Sequence, residues 1–437
     1  MKRRRLVVIS LDSMGFRDLN ELRELTPNLA RLIEQGTWVK KVRGIFPTLT
    51  YPSHTSIITG QYHPAVHGIV NNTKLQPTRQ SPDWYWYQRK EIKAATLYDV
   101  AHFAGLKTAA FLWPVTAGSR IDWNVAEIFP NRIWTNQVLV SLKASSPWFL
   151  YQMNHKFSHL RKGIKQPWLD DFVTAMASWT LKHKKPDLTL IHLVDMDSMR
   201  HRYGVRSDQA KQALQRLDQR VGQLIQATKD AGTFEQTNFV CLGDHYQIDV
   251  NQMIHLNTLF AKKGWLTPIK NQQTFKNNWR VMAKTCDGET YVYVRPGIDR
   301  DEVRREIAGV KGIEKIYDGA QAVRLGADPR CTFLVEAKAG WYFTDEAQRP
   351  AVVESVLPSM MGTSDRYRGV HGYGADKPDY FTTAVFYGPD IKKRAQVEHA
   401  ELVDEGPTFA ELLGLSYPRP TAGKQIKGIF KEVKHEI

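Results

Sequence analysis

The chain has 437 residues, of which 42% are hydrophobic, and its formal net charge is +15. This length and composition are typical of a globular protein of about two to three domains, and they exclude a disordered chain. No apolar run approaches the roughly 18 residues that a transmembrane helix requires, so we predict no membrane partner. The charge favours anionic ligands, but the Lys and Arg residues are scattered apart from "KRRR" at the start, so we predict no specific nucleic-acid partner.

The start of the chain, "MKRRRLVVISLDS", is basic like a signal peptide. Its apolar run is short, ends at Asp12 and lacks a small-residue cleavage site, so residues 6–11 are predicted to form a buried first strand. The three cysteines, Cys241, Cys286 and Cys331, are widely spaced and odd in number. They argue against a disulfide framework or a thiolate zinc site and predict a cytoplasmic location.

Four further apolar runs are predicted to be buried strands of the same parallel sheet. They lie at 107–113, 188–194, 238–243 and 381–388. Residues 26–36 have a Thr cap, a Pro in the first turn and a final Gly, and residues 207–232 carry apolar side chains at helical spacing, so both are predicted helices. Strands that alternate with helices predict an α/β fold, a three-layer αβα sandwich with a mainly parallel central sheet.

The pattern changes after about residue 263. "GETYVYVRPG", a helical stretch and "CTFLVEAKAGWYF" follow one another before the last core strand. We therefore predict a catalytic core formed by residues 1–263 and 346–437, with a smaller α+β cap inserted at 264–345.

Acidic and imidazole side chains lie next to four of the predicted strands. They are Asp12, Asp197, His201, Asp244, His245 and His371. Ligands of open α/β sheets bind beyond the carboxyl ends of the strands, and Asp and His are ligands that suit Zn²⁺ and related ions. A lone Asp at a strand end is more often a helix cap, and a lone His is more often a loop hydrogen-bonder. Because four separate loops agree, we favour two metals with three protein ligands each and an open position.

The spacing of these residues adds two conditions. Asp197 and His201 are four apart, so one helical turn would place both side chains on one face. Asp244 and His245 are adjacent, so they can share a site only if the chain bends there.

The stretch "FPTLTYPSH" at 46–54 supplies a candidate nucleophile. Pro52 is predicted at a first helical position, which puts Thr50 at or just before a helix N-terminus, where negative charge is favoured. A threonine hydroxyl is a poor nucleophile unless a bound metal lowers its pKa. Thr48 and Thr55 are alternatives, but Thr48 precedes the turn and Thr55 would lie inside the helix, so Thr50 is preferred.

Several motifs occur together in this order: "SLDSMG", "PTLTYPSHTSIITGQYHPAVHGIVNN", "LWPVTAG", "DMDSMRHRYG", "GDHYQ" and "GVHGYG". They resemble the alkaline phosphatase superfamily and, more narrowly, its nucleotide pyrophosphatase/phosphodiesterase family. The resemblance runs from the first strand to near the C-terminus and is weakest in the cap. It implies that Thr50 is the nucleophile and is transiently phosphorylated or nucleotidylated.

The resemblance also implies how the ligands divide between two metals, Zn²⁺ or alternatively Mn²⁺ or Fe. The first set is Asp197, His201 and His371, and the second is Asp12, Asp244 and His245, with Thr50 also reaching the second metal. It implies that Asn71 donates to the phosphoryl oxygen, a role that a positioned amide can fill. Tyr51 stands where the family often has an aromatic residue beside the substrate, although it could equally pack in the core.

The sequence departs from the family at three positions near these motifs. Ser53 stands where Asn is usual, Arg200 where Gly is usual and Tyr246 where Gly is common. Arg200 has the largest predicted effect, because a cation beside a metal-ligand loop could bind a substrate phosphate.

The combined prediction is a hydrolase of phosphodiester or pyrophosphate bonds that works through a phospho-threonine intermediate on a two-zinc site. Its partner would be a small phosphate ester, a nucleotide in the first place, and the sequence leaves a homo-oligomer open. A phosphomonoesterase is an alternative, because Arg200 could help to bind a dianion.

Four other classes fit the sequence less well. A phosphonoacetate-type hydrolase would need a lysine pair where this chain has "FLWPVTAGSR". Sulfatases and cofactor-independent phosphoglycerate mutases do not use a threonine in this context. A non-enzymatic anion-binding protein on the same fold is disfavoured because all six ligand positions are occupied.

Overall fold

The computed structural model of the protein describes residues 4–62, 66–74, 88–128, 136–272, 274–361, 363 and 365–431. The strands in this part of the chain are β1 (Arg5–Leu11), β2 (Thr37–Arg43), β3 (Thr108–Phe111), β4 (Trp123–Val125), β5 (Leu188–Leu193), β6 (Thr237–Leu242), β7 (Ile248–Asp249), β8 (Gln252–Ile254), β9 (Val281–Cys286), β10 (Glu289–Val294), β11 (Ile313–Asp318), β12 (Phe333–Ala337), β13 (Trp341–Phe343), β14 (Val353–Ser355), β15 (Gly369–Val370), β16 (Thr382–Tyr387) and β17 (Ala395–Glu401).

The α-helices of the same residues are numbered separately. They are α1 (Phe16–Glu21), α2 (Pro27–Gln35), α3 (Thr50–Thr59), α4 (Leu97–Phe103), α5 (Gln137–Ala144), α6 (Pro147–Phe157), α7 (Trp168–His183), α8 (Asp195–Tyr203), α9 (Asp208–Asp230), α10 (Leu256–Lys262), α11 (Arg300–Ala308), α12 (Gly319–Leu325) and α13 (Glu405–Leu412).

The central sheet has eight strands in the order β17-β2-β16-β6-β1-β5-β3-β4. All of them run parallel except β16, which is antiparallel to both of its neighbours. The four strands predicted at 6–11, 107–113, 188–194 and 238–243 are therefore confirmed as parallel strands. The strand predicted at 381–388 exists, but its predicted parallel direction is wrong.

Helices cover both faces of this sheet because alternate side chains of the buried strands point to opposite faces. Leu6 and Val8 of β1 pack on one face with α3, α4 and α13. Val7 and Ile9 pack on the other face with α2, α6, α7 and α9. This arrangement confirms the predicted three-layer α/β fold with a mainly parallel sheet.

A smaller α+β region lies between β6 and β16. Its antiparallel sheet has the order β11-β12-β10-β9, and α11 and α12 contribute side chains to its apolar core. The boundaries 1–263, 264–345 and 346–437 stay predictions. In a three-stranded sheet, β8 of the predicted core pairs on one side with β13 of the predicted cap and on the other with β14 of the return segment, so strand pairing joins the cap to the core.

Among the described residues, no helix combines the length and the apolar character that crossing a bilayer requires.

Candidate active site

The six predicted ligands meet at one edge of the central sheet. Asp12 directly follows β1, α8 follows β5, and Asp244 lies two residues beyond β6. The chain bends at Asp244, so the condition for Asp244 and His245 to share a site is met. His371 reaches this edge because β16 is antiparallel, which places the N-terminal end of β16 beside the carboxyl end of β6.

The first group of ligands contains Asp197, His201 and His371, whose ligand atoms all lie within 4.8 Å of one another. The Nε2 atom of His201 is 3.4 Å and that of His371 is 4.0 Å from Asp197 Oδ1. Each Nδ1 donates to a backbone carbonyl, that of Gly369 at 2.8 Å and that of Thr48 at 3.1 Å. Because Nδ1 carries the hydrogen, each Nε2 has a lone pair free for a metal when the ring is neutral.

The second group converges on Nε2 of His245. Asp12 Oδ1 and Asp244 Oδ2 are each 3.2 Å from this atom, and Thr50 Oγ1 is 3.1 Å from it. Asp12, Asp197 and His245 also fall within 4.8 Å of one another. Asp197 therefore belongs geometrically to both groups, which the sequence did not predict.

Unsatisfied polar atoms test whether a cation fits this site. Asp12 Oδ1, Asp244 Oδ2 and His245 Nδ1 are buried and make no hydrogen bond within the described chain. Buried polar atoms without partners are rare in native proteins, and buried charges are normally paired or bound to a metal. Three carboxylates and three imidazoles are also a donor set that divalent transition metals accept. The residues present therefore fit the implied metals.

The protonation states of two of the three imidazoles agree with this geometry. For His201, burial opposes protonation, but the Asp197 carboxylate raises the pKa to about 9. Burial, reinforced by His371, lowers the pKa of His245 well below its ordinary value, and burial lowers the pKa of His371 to about 4. Both rings are therefore neutral at pH 7, which is the form that binds metals. Burial and then the Asp197 charge raise the pKa of Asp12 to about 7, and burial and then Asp12 raise the pKa of Asp244 well above its usual range. A bound cation would reverse this effect on the carboxylates.

Thr50 is the hydroxyl that faces this centre. It is the first residue of α3 and lines a cavity of about 550 Å³. The alternative hydroxyls are engaged elsewhere, because Thr48 Oγ1 bonds Tyr373 O and Tyr380 OH at 2.9 Å each, and Thr55 Oγ1 donates to a backbone carbonyl of its own helix. The prediction for Pro52 is corrected by two positions, because α3 begins at Thr50 and Pro52 is its third residue.

Asn71 and Tyr51 occupy different surroundings. Asn71 lines the cavity, but its amide donates to Thr285 O at 2.7 Å, so in this structure the amide links the core to the cap. Tyr51 is only 2% exposed, lies in the core under the sheet and donates to Glu127 Oε1 at 3.2 Å. Of the two readings left open for Tyr51, the structure favours core packing over contact with substrate.

Arg200 does not line the cavity, and its predicted contact with a substrate phosphate has to be corrected. Its side chain is 2% exposed, and the guanidinium donates to Asp18 Oδ1 and to Ser13 O at 2.5 Å each. The group also lies over the ring of Tyr246, 5.0 Å from the centroid. Arg200 and Tyr246, two of the three departures from the family, thus pack against each other behind the metal-ligand loops.

Replacing Arg200 by Met is expected to lower stability by about 3 to 5 kcal/mol, because it leaves Asp18 buried without its cation. The KM for a phosphodiester should change little. Thermal unfolding and steady-state kinetics of Arg200→Met would check both, with Arg200→Lys as the variant that keeps the charge. A large rise in KM at unchanged stability would restore the role in substrate binding.

Sequence reasoning missed a pair of residues behind Asp12. His192 places Nε2 3.0 Å from Asp12 Oδ2 and Nδ1 3.2 Å from Glu127 Oε2. Burial opposes its protonation, but the bonds to Asp12 and Glu127 hold the pKa of His192 well above its usual range. The available signal was a polar residue in the middle of the buried strand "LTLIHLV".

The cap and the segment before β15 form the outer wall of the cavity. The side chains that line this wall come from β9, from the turn after it, from the segment around β13 and from the segment before β15. They include Met282, Lys284, Asp287, Phe343, Asp345 and Tyr367. Lys284 Nζ forms an ion pair with Asp345 Oδ2 at 2.7 Å, so these two charges offset each other. The Asp287 carboxyl lines the same cavity.

A protein-family model described as "Type I phosphodiesterase / nucleotide pyrophosphatase" matches residues 6–374. Human ectonucleotide pyrophosphatase/phosphodiesterase family member 1 is 27% identical over 266 residues, covering 57% of this chain and 24% of the human protein. The mouse protein of the same name is 25% identical over 450 residues, covering 95% of this chain and 41% of the mouse protein. The chain thus spans less than half the length of these relatives.

Solved structures of a related protein share the fold. Human ectonucleotide pyrophosphatase / phosphodiesterase 5 superposes with a TM-score of 0.68 at 21% identity, over 96% of this chain and 97% of that chain. An inactive variant of the murine protein, in complex with AMP, gives a TM-score of 0.67 at 19% identity over the same shares.

Proposed function

Because the chain belongs to the type I phosphodiesterase / nucleotide pyrophosphatase family, we propose that it hydrolyses phosphodiester or pyrophosphate bonds of nucleotides with Thr50 as the nucleophile. The observation that carries this proposal is the position of Thr50 Oγ1, 3.1 Å from His245 Nε2 and facing the cavity where the two ligand groups meet. A buried centre of acids and imidazoles beside a helix N-terminus is suited to bind a phosphoryl group through cations.

Two metals, most simply Zn²⁺, would occupy this centre. One would be held by Asp197, His201 and His371, and the other by Asp12, Asp244 and His245 together with Thr50. When bound, they would supply Lewis acids that lower the pKa of the Thr50 hydroxyl and offset the charge of the phosphoryl oxygens. The buried carboxylate oxygens Asp12 Oδ1 and Asp244 Oδ2, which lack hydrogen-bond partners, support this assignment.

The chain's own residues position the nucleophile. His54 Nδ1 donates to the carbonyl of Thr50 at 2.8 Å, which fixes the first turn of α3. The N-terminal end of α3 carries a partial positive charge that favours a phosphoryl group in front of it. Thr50 Oγ1 gives up its proton and forms a bond to phosphorus, while the bond to the leaving oxygen breaks and that oxygen takes up a proton. In the second step a water oxygen replaces Thr50 on phosphorus, and the proton that this water loses returns to Thr50 Oγ1.

The cavity is consistent with a nucleotide. Its volume of about 550 Å³ falls in the range of small-molecule sites, and the cap supplies apolar and aromatic side chains that could exclude water from the reaction. AMP is bound in the structure of the murine relative. The donor role of Asn71 is part of the proposal, and it requires the Asn71 amide to release Thr285 O in order to reach a phosphoryl oxygen. The cytoplasmic location is also part of the proposal.

A substrate panel tests the proposal directly. The zinc-loaded protein would be assayed with an aryl nucleotide diester, a nucleoside triphosphate, an aryl monoester and phosphonoacetate. We expect kcat/KM for the diester or the triphosphate to exceed that for the other two by at least about tenfold.

Other rankings would each identify a different function. A preference for the monoester or for phosphonoacetate would replace the proposal by the corresponding alternative hydrolase. Absence of turnover together with tight phosphate binding would favour the anion-binding protein.

A further inference from the structure

One stretch of the chain has an unusual charge. Residues 128–169 contain no Asp or Glu and six Lys or Arg side chains. With 45 acidic residues in 437, a stretch of 42 residues (169 − 128 + 1) would be expected to hold about four of them (45 × 42/437). This stretch is thus strongly basic even within a basic protein.

The same stretch carries exposed hydrophobic side chains. Trp148 is 69%, Ile164 67% and Tyr151 58% exposed, and Val138 and Leu139 are similarly open. They lie on α5, on α6 and on the turn that leads to α7. Such side chains in a soluble domain usually mark a contact surface.

These residues share one surface. Val138, Tyr151 and Ile164 all line an apolar cavity of about 330 Å³, and Trp148 stacks on Tyr151 with ring centroids 5.5 Å apart. Arg161 lines the same cavity. We call this surface, formed by α5, α6 and residues 158–165, the basic apolar face.

The cations of the basic apolar face have no acidic partner. Within the part of the chain that the structure describes, none of the following forms an ion pair: Lys143, Lys156, Arg161, Lys162 and Lys165. Several instead lie over aromatic rings, such as Lys162 at 4.1 Å from the centroid of Trp168. Their charge is therefore available to an external anion.

We propose that the basic apolar face docks the protein on the surface of an anionic lipid bilayer. Trp and Tyr rings favour the boundary between head groups and acyl chains, aliphatic side chains insert just below it, and Lys and Arg attract anionic head groups. The face supplies all three groups side by side. The proposal concerns peripheral binding and replaces the prediction of no membrane partner.

The charge argues for a bilayer over a second copy of this chain. Two copies that met through the basic apolar face would oppose unpaired cations to unpaired cations, whereas an anionic bilayer neutralises them. The face also lies beyond the carboxyl ends of β3, β4 and β5, because Leu112, Val125 and Val194 line its cavity. Docking would therefore occur at the same sheet edge as the candidate active site.

The test is co-sedimentation of the full chain with lipid vesicles. We expect binding to phosphatidylcholine vesicles that contain about 30% phosphatidylglycerol, weak binding to pure phosphatidylcholine, and a loss of binding at about 0.5 M salt. Leu139→Ser/Trp148→Ser should lower the partition coefficient by at least about tenfold. Lys162→Glu/Lys165→Glu should lower the partition coefficient to a similar extent. Because it changes only exposed cations, it keeps the proposal testable even if the apolar variant folds poorly.

Phe103→Ser is the matched control, because Phe103 is 74% exposed but lies on α4, outside the basic apolar face. This variant should bind vesicles like the unaltered protein, and all variants should hydrolyse a soluble diester normally if the proposed function holds. The proposal is overturned if the unaltered protein ignores anionic vesicles, or if both double variants still bind them. Dimerisation that the same substitutions abolish, without vesicle binding, would also overturn it and identify an interface between copies.

Discussion

Replacement of Thr50 by Ala is expected to lower kcat for a nucleotide diester by at least about 10³-fold, with metal content and thermal stability close to those of the unaltered protein. The reason is geometric. Thr50 Oγ1 faces the cavity next to the ligand centre, whereas Thr48 Oγ1 is engaged with two tyrosine residues and Thr55 Oγ1 with its own helix. Steady-state kinetics and metal analysis of the purified variant check the result.

Two variants make this test specific. Thr55→Val removes a hydroxyl of the same helix that does not face the centre, so it should retain activity. Thr50→Ser keeps an oxygen near the same position and should retain measurable turnover. If Thr50→Ala remained fully active, the assignment of the nucleophile would be wrong and Thr48 would be tested next.

The position of His371 shows how a correct site can rest on a wrong strand direction. We predicted that its loop precedes a parallel strand, and such a loop would lie at the opposite edge of the sheet. In the structure β16 runs antiparallel, so its preceding loop lies at the carboxyl edge with the other ligands. The apolar run "FTTAVFYG" indicates burial but carries no information on direction.

Strands β2 and β17 were not predicted because their sequences are charged. In "TWVKKVR" and "AQVEHAE" charged and polar side chains interrupt the apolar ones, as expected for strands close to the edge of a sheet. The buried central strands β1, β5 and β6 carry almost no charged side chains and were found. Local composition therefore predicted the middle of the sheet better than its margin.

The residues of the site that could not be predicted from the sequence are those whose partners are distant in the chain. Arg200 was placed near the substrate because it lies between two ligands in sequence, but its partner Asp18 is 182 positions away. His192 and Glu127 are likewise 65 positions apart. A sequence motif identifies the side chains that line the candidate active site. The buried residues that hydrogen-bond to those side chains come from distant parts of the chain, so only the tertiary structure reveals them.

The place of Asp197 in both ligand groups leads to the second large effect. Asp197→Asn is expected to lower bound zinc from about two per chain to one or fewer, and to lower it further than His371→Asn does. His371 contributes to one group, but the Asp197 carboxylate lies within 4.8 Å of the ligand atoms of His201 and His371 and also of those of Asp12 and His245. Elemental analysis after dialysis against zinc and removal of free metal would give the number bound.

Asp287→Asn is the matched control for this experiment, because Asp287 lines the same cavity but belongs to neither ligand group. It should retain both metals. Equal losses in Asp197→Asn and His371→Asn would mean that Asp197 serves only the group with His201 and His371. The second metal would then rely on Asp12, Asp244 and His245, as the family resemblance implies, and Asp244→Asn should release that metal alone. Retention of both metals in Asp197→Asn would contradict the metal centre itself, because a neutral amide would then bind as well as the carboxylate that both groups share.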